Sequence, residues 1–171
     1  SKAAAGGVKW PKNVQIIVPY GAGGDTDFNA RLYAQKLSKK LGANFVITNV
    51  NGNGGSTGSR QVKDGKKDGS IILFNHTAFL VNQASKAADF GFKDFDFASV
   101  AANPGNVIVV NKDLGINSLA DLKKYSEANP DKLKIAVQTG ATSYVIAAQL
   151  VKAGFKLKMV DAGAAADRLT A

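Results

Sequence analysis

The run VPYGAGGDTDFNAR, from Val18 to Arg31, sets three glycines, two aspartates and a threonine between an apolar stretch and a helical pattern. Glycines there let the main chain come close to a ligand, and the start of a helix offers unpaired N–H groups and the positive end of its dipole. Tyr20, Gly21, Ala22, Gly23, Gly24, Asp25, Thr26 and Asp27 are therefore candidates for an anion-receptive loop. A second run, VQTGATSYVIAAQL, repeats the arrangement, with Gly140 and Ala141 in the turn and Thr142 and Ser143 opening a helix, where hydroxyls add to the amide donors. Asn75, His76 and Thr77, in FNHTAF, follow a third apolar run and are polar candidates for ligand contact. Two such loops facing each other at strand C-terminal ends would hold a carboxylate at each end of a small molecule. Plainer readings stand beside these: helix capping for either loop, with Asp27 as the N-cap, and local hydrogen bonding for His76.

Other chemistries fit less well. Thr26 stands where the third glycine of a dinucleotide-binding G-x-G-x-x-G belongs, and the second strand ends in Thr48 and Asn49 without an acidic residue for a ribose. No Gly-Lys-Ser/Thr follows the loop, as a nucleotide-hydrolase phosphate loop requires. Cysteine is absent, and His76 is the single histidine. Thiolate chemistry and thiolate zinc sites are thereby removed. Ser56, Ser59 and Ser143 lie outside any G-x-S-x-G elbow. Asp25 and Asp27 sit in one loop and make no convincing acid/base pair. A small α/β hydrolase or transferase using these loops as an oxyanion site is the alternative. No cofactor or metal is expected.

The elements that must position these residues alternate as βα units, the pattern of a parallel sheet with helices on its faces. Strands are expected at Val14–Val18, Phe45–Thr48 and Ile71–Phe74. A helix is expected over about Asp27–Leu41, with Phe28, Leu32, Ala34 and Leu37 in its apolar stripe and Gly42 as its stop, and a short helix from about Thr57. Phe97–Ala102 and Val107–Val110 read as two more strands around a turn-like NPGN. Helices over Ser118–Asn129 and Thr142–Ala153 enclose a strand at Lys134–Val137, and a further strand, Lys158–Val160, leads into a helical pattern that runs to Ala171. Phe90, Phe92, Phe95 and Phe97 cluster as core or as a seam between lobes.

The 171 residues suffice for one ordinary domain or two small lobes, and 45% hydrophobic with 20% charged residues suits a globular α/β protein. The net charge of +9 is spread in ones and twos, without the interleaved aromatics of a nucleic-acid reader, so no nucleic-acid partner is expected. No apolar run approaches a membrane span. The opening SKAAAGGVK lacks an apolar segment and reads as a flexible leader, either a cloning remnant or the spacer left after a signal peptide is removed.

VPYGAGGDTDFNARLYAQKL, NVNGNGGSTGSRQV, KKDGSIILF, FDFASVAANPGNVIVVN, SLADL and TGATSYVIAAQL, in this order from about Trp10 onward, together resemble the substrate-binding proteins of tripartite tricarboxylate transporters, the Bug receptors. The resemblance implies a non-catalytic, two-lobed receptor of the periplasmic-binding type II class. Such a receptor is exported, with lipid anchoring left open, and is a monomer when complete. It closes on a small carboxylate or an amino acid and delivers it to membrane permease subunits. Carried onto this sequence, the family's binding positions match Pro19, Tyr20, Gly23, Gly24, Thr26 and Asp27, then Asn75 to Ala78, then Gly140 to Ser143. The NPGN turn marks the expected boundary, with residues 1–103 as first lobe, including a leader at 1–9, and 104–171 as part of the second. Family chains usually continue further, so a fragment is expected. Three departures stand out: Gly21 and Ala22 replace frequent prolines, Asp25 replaces a frequent glycine, and Val145 replaces a frequent histidine.

Overall fold

Val14, Ile16, Ile17 and Val18 are each at most 1% exposed, because β1 (Asn13–Val18) lies between two parallel neighbours and is covered on both faces. A computed structural model describes residues 10–103, 105–130 and 132–171. The expected leader at 1–9 and Pro104 of the NPGN turn lie outside these. β2 (Asn44–Asn49) pairs with β1 from Asn13↔Asn44 to Val18↔Asn49. β3 (Ile71–Leu73) pairs on the other side from Gln15↔Ile71 to Ile17↔Leu73, giving the order β2-β1-β3. The chain crosses from β1 to β2 through α1 (Asp25–Leu41), and from β2 to β3 through α2 (Ser56–Lys63). Right-handed crossovers in opposite directions put the two helices on opposite faces. The loops leaving β1 and β3 meet beside this reversal, which is where α/β sheets bind ligands.

Of the apolar stripe expected of α1, Ala34 is buried and Leu37 half-buried, but Phe28 and Leu32 are corrected by the structure. Phe28 is 68% and Leu32 41% exposed, while the buried face is Thr26, Asp27, Ala30 and Ala34. Small side chains let this helix lie close to the sheet, and Ser38 adds a hydroxyl that accepts the Phe45 N–H at 3.1 Å. The helix also begins two residues earlier than expected, with Gly24 as N-cap, so Asp27 is the third helical residue and not the cap.

α2 is fitted to the end of β1 by glycines. Gly55 has φ +98°, and a Cβ there would stand 2.8 Å from the Tyr20 hydroxyl. At Gly58, inside the helix, a Cβ would stand 2.8 Å from the Val50 carbonyl and 2.9 Å from Pro19 Cβ.

Compactness divides the chain into two units, Ser1–His76 and Thr77–Ala171. The division falls in the loop after β3, earlier than the turn at NPGN. In the second unit α3 (Ala78–Ala84) carries Phe79, whose ring packs at 6.2 Å from Phe90 and at 5.3 Å from both Phe92 and Phe95. β4 (Lys134–Val137) and β5 (Lys158–Asp161) pair in parallel from Lys134↔Lys158 to Val137↔Asp161, joined by α5 (Thr142–Lys152). α4 (Leu119–Ala128) precedes this pair and α6 (Ala165–Thr170) follows it. Leu122, Val137, Ala147 and Phe155 are buried and form the core of this unit.

The strands expected at Phe97–Ala102 and Val107–Val110 are not formed among the described residues. Their side chains are exposed, with Val100 at 85% and Val107 at 84%. β-branched residues favour a strand only where a neighbouring strand supplies a surface to pack on, and no such neighbour lies beside these segments among the described residues. No helix among the described residues is long and apolar enough to cross a membrane.

Gly58→Ala separates two opposed effects. Helix propensity favours alanine by about 1 kcal/mol. The close carbonyl opposes it, and overpacking against main chain costs roughly 1–3 kcal/mol. The expected outcome is a net loss of stability, read as a lower denaturant midpoint with unchanged slope.

Candidate functional site

The loop from Pro19 to Gly24 reverses the chain from a buried strand into α1, with Gly23 at φ +82°. Its geometry is set by Asp27, a buried carboxylate with four donors. The Gly23 N–H and Arg31 Nε each reach Oδ2 at 3.0 Å, Asn49 Nδ2 reaches Oδ1 at 3.0 Å, and Arg31 Nη2 lies 2.9 Å from Oδ1. Asn49, at the end of β2, also donates to the Tyr20 carbonyl at 3.1 Å and accepts from Arg31 Nη2 at 3.1 Å. Burial alone would raise the Asp27 carboxyl, but the hydrogen bonds from Arg31, Gly23 and Asn49, with the Arg31 charge, outweigh it and hold it below the ordinary carboxylate value. Asp27 therefore braces the loop from behind.

Tyr20 is 7% exposed, and its hydroxyl donates to Asn75 Oδ1 at 2.7 Å. Asn75 Nδ2 donates to Ser59 Oγ at 3.0 Å, and Ser59 donates to the Gly55 carbonyl at 2.8 Å. The His76 N–H also reaches Asn75 Oδ1 at 2.7 Å, and its ring stacks on Tyr20 with centroids 4.2 Å apart and planes 13° from parallel. Burial first, and then the charge of Asp25, push the Tyr20 phenol upward in pKa, so it is a neutral donor at ordinary pH. The structure thus joins Tyr20, Asn75 and His76 across the ends of β1 and β3. Of the other sequence candidates, Gly21 and Gly24 are half-buried, Ala22, Gly23, Asp25 and Thr77 are exposed, and Thr26 is buried.

In the second unit, Ala141 is buried, and Gly140, Thr142 and Ser143 are half-buried. The Ser143 hydroxyl accepts the Gln138 N–H at 3.0 Å, which closes the turn upon itself. Asp161, at the end of β5, accepts from the Thr139 and Gly163 N–H groups at 3.0 Å, and hydrogen bonding from the Thr139 side chain first, then from these two N–H groups, holds its carboxyl below the usual range.

Among the described residues, α4 is the one α-helix with an N-cap side-chain hydrogen bond. The N-caps of α1, α2 and α5 are Gly24, Gly55 and Ala141, none with a side-chain cap hydrogen bond. α4, which follows no strand, is capped by Ser118, whose hydroxyl accepts the Asp121 N–H at 3.1 Å. The starts of α1 and α5 thus leave first-turn amides for another acceptor, whereas in α2 the Ser56 and Thr57 N–H groups go to the Asn53 and Gly52 carbonyls. The serines considered as nucleophiles are engaged: Ser56 Oγ donates to the Asn53 carbonyl at 3.0 Å, and Ser59 and Ser143 hold the bonds above. Among the described residues no three His, Cys, Asp or Glu side chains cluster to hold a metal.

Asn49, Ser59 and Arg31 were not legible as site residues. The one signal for Arg31 was its i+4 spacing from Asp27, and the pairings of Asn49 and Ser59 are made across the fold.

The Asp27 network predicts an acid response of definite sign. A carboxyl lowered by folding contributes stability that is full above its unfolded value near about 3.9 and is lost as pH falls through its folded value. Asp27→Asn is expected to cost roughly 1–3 kcal/mol at neutral pH, by leaving buried donors poorly matched. It should also flatten the fall in Tm below about pH 4. Thermal melts of both proteins across pH 2–7 check this, and parallel curves would rule out the brace.

The sequence signature described as tripartite tricarboxylate transporter family receptor, TctC, matches residues 29–161. The UPF0065 protein in the tcbD-tcbE intergenic region of Pseudomonas sp. strain P51 is 32% identical over 146 residues, covering 84% of this chain and 44% of that relative. The solved structure of the periplasmic binding protein BugD is similar with a TM-score of 0.76 at 28% identity, over 94% of this chain and 56% of that one. R. palustris Rpa4515 with adipate is similar with a TM-score of 0.72 at 26% identity, over 95% of this chain and 56% of that one. The chain thus spans about half the length of the proteins it matches. Its fold is the α/β fold of periplasmic binding proteins, and the chain belongs to the tripartite tricarboxylate transporter receptor family.

Proposed function

We propose that this chain is part of a periplasmic, non-catalytic solute receptor that captures a small carboxylate, held mainly by main-chain amides, for delivery to the membrane permease subunits of a tripartite tricarboxylate-type transporter. The observation that carries the reading is the pair of helix starts without side-chain caps after β1 and β4, at Gly24 and Ala141, against the Ser118-capped α4. Aligned N–H groups and the positive end of a helix suit a carboxylate oxygen. The adipate bound to Rpa4515 supports a carboxylate ligand here by kinship.

The contributing residues proposed are the main chain from Gly21 to Thr26 with Tyr20, then Asn75, His76 and Thr77 after β3, and Gly140 to Ser143 after β4. Asp27 takes the role of brace. The engaged serine hydroxyls favour a receptor over a hydrolase, since none is poised toward a base. We keep 1–103 and 104–171 as the proposed lobes of the functional protein.

Calorimetry on the full-length natural polypeptide, screened against mono-, di- and tricarboxylates and amino acids, tests the reading. At least one is expected to bind, and a complete lack of binding would sink it. Within such a titration, Thr142→Ala is expected to weaken binding several-fold, whereas replacing the exposed Lys66 and Lys67 together by alanine should leave it within about twofold at physiological salt, where exposed surface charges are screened. Equal losses from the two would favour a diffuse charge effect.

A further inference from the structure

Lysines that the sequence scatters in ones and twos are gathered by the fold at one end of the first sheet. Lys12 directly precedes β1. Lys36, Lys39 and Lys40 lie in the last two turns of α1, and Lys63 closes α2. Lys66 and Lys67 follow in the connection from α2 to β3. The Lys12 carbonyl accepts the Asn44 N–H at 2.9 Å, and the Ser70 carbonyl accepts the Gln15 N–H at 2.8 Å. The starts of β1, β2 and β3 therefore stand side by side, with the ends of α1 and α2 beside them.

All of these lysines are exposed except the half-buried Lys63. The acids at this end, among the described residues, are Asp64 and Asp68. Asp64 meets Lys63 at 3.2 Å, and Asp68 accepts the Ser70 N–H at 2.9 Å. Seven lysines against two aspartates leave +5, more than half of the +9 of the whole chain. Complementing the helix dipoles accounts for Lys39, Lys40 and Lys63 in last turns, but Lys12, Lys66 and Lys67 lie outside any helix. Trp10 is at the same end. It is 43% exposed, and its ring rests 6.4 Å from that of Phe45, the second residue of β2.

The residue types indicate the partner. The planar fork of arginine suits paired recognition of one carboxylate or phosphate, whereas lysine is a hydrated point charge on a flexible stem and suits a diffuse array of anions. A half-exposed indole beside lysines is the combination that settles at the level of lipid headgroups. We infer that this end of the first unit is an electrostatic docking surface for a membrane of anionic phospholipid. The length of β1, roughly 20 Å, then holds the loops after β1 and β3 away from the lipid. The inference does not depend on which solute is bound. The plainer role is solubility from net charge alone, and the test separates the two.

The full-length natural polypeptide, prepared without any acyl group, is sedimented with vesicles of phosphatidylcholine alone and of phosphatidylcholine carrying about one-third phosphatidylglycerol. Binding to the anionic vesicles is expected at about 0.1 M salt, with a steep fall by about 0.5 M. Lys66→Ala with Lys67→Ala should weaken it about tenfold or more, and Lys39→Ala with Lys40→Ala should do the same. Lys123→Ala with Lys124→Ala removes an equal charge from exposed positions of α4 and should leave binding within about twofold. Trp10→Ala should lower the binding that persists at the higher salt. Equal binding to both vesicle types, binding to neither, or an equal loss from the α4 pair would overturn the inference. Retention on heparin without binding to anionic vesicles would assign this end to another acidic macromolecule and overturn it as well.

Discussion

The chain that leaves β1 emerges from the most buried strand of the first unit and must enter α1 within the six residues from Pro19 to Gly24. Everything at the candidate site depends on how that reversal is held. A buried carboxylate is costly unless donors surround it, and Asp27 is surrounded by a loop amide, a side chain one turn along its own helix and a side chain at the end of the neighbouring strand. Because the donors come from three places in the sequence, the network pins the loop to the sheet as well as to the helix. The main chain of the loop is thereby held in place with its first helical amides uncapped.

A division of labour follows. Side chains that hydrogen-bond well in this unit, Asp27, Asn49, Ser59 and Asn75, are spent on holding loops and helices to one another. Close fit reinforces this, since Gly55 and Gly58 admit Tyr20 and Pro19 where any larger residue would meet them. What the loop and the start of α1 leave exposed is Ala22, Gly23 and Asp25. Recognition by pre-placed amides suits binding and release of a small anion, whereas catalysis would call for a nucleophile and base poised toward each other. The second unit repeats the principle with other residues: Ser143 closes its turn on Gln138, and Asp161 ties Thr139 to the end of β5.

Much of this was legible in the sequence. The βα alternation, the three strands of the first sheet, the β4–α5–β5 unit and the glycine-rich loops all follow from local pattern, because glycine, β-branched residues and helix formers act over a few residues. The failures share a cause. Phe28 and Leu32 looked like a buried stripe, but the sheet accepts the Thr26, Ala30 and Ala34 face of α1, and which face is buried depends on how closely two elements approach. Val107 to Val110 looked like a strand, but a strand needs a partner and local composition does not supply one.

The sequence by itself determined that the chain is an α/β protein with glycine-rich loops after its strands, and its ordered motifs pointed to the receptor family that residues 29–161 match. Only the tertiary structure decided what each polar residue in those loops does. Asp25 and Asp27 are two residues apart and chemically identical, yet one is exposed and without an ion-pair partner among the described residues while the other is buried among donors from β2 and α1. Hydrogen-bond partners that are distant in the chain are set by strand order and register, and these are properties of the packed sheet rather than of any local stretch.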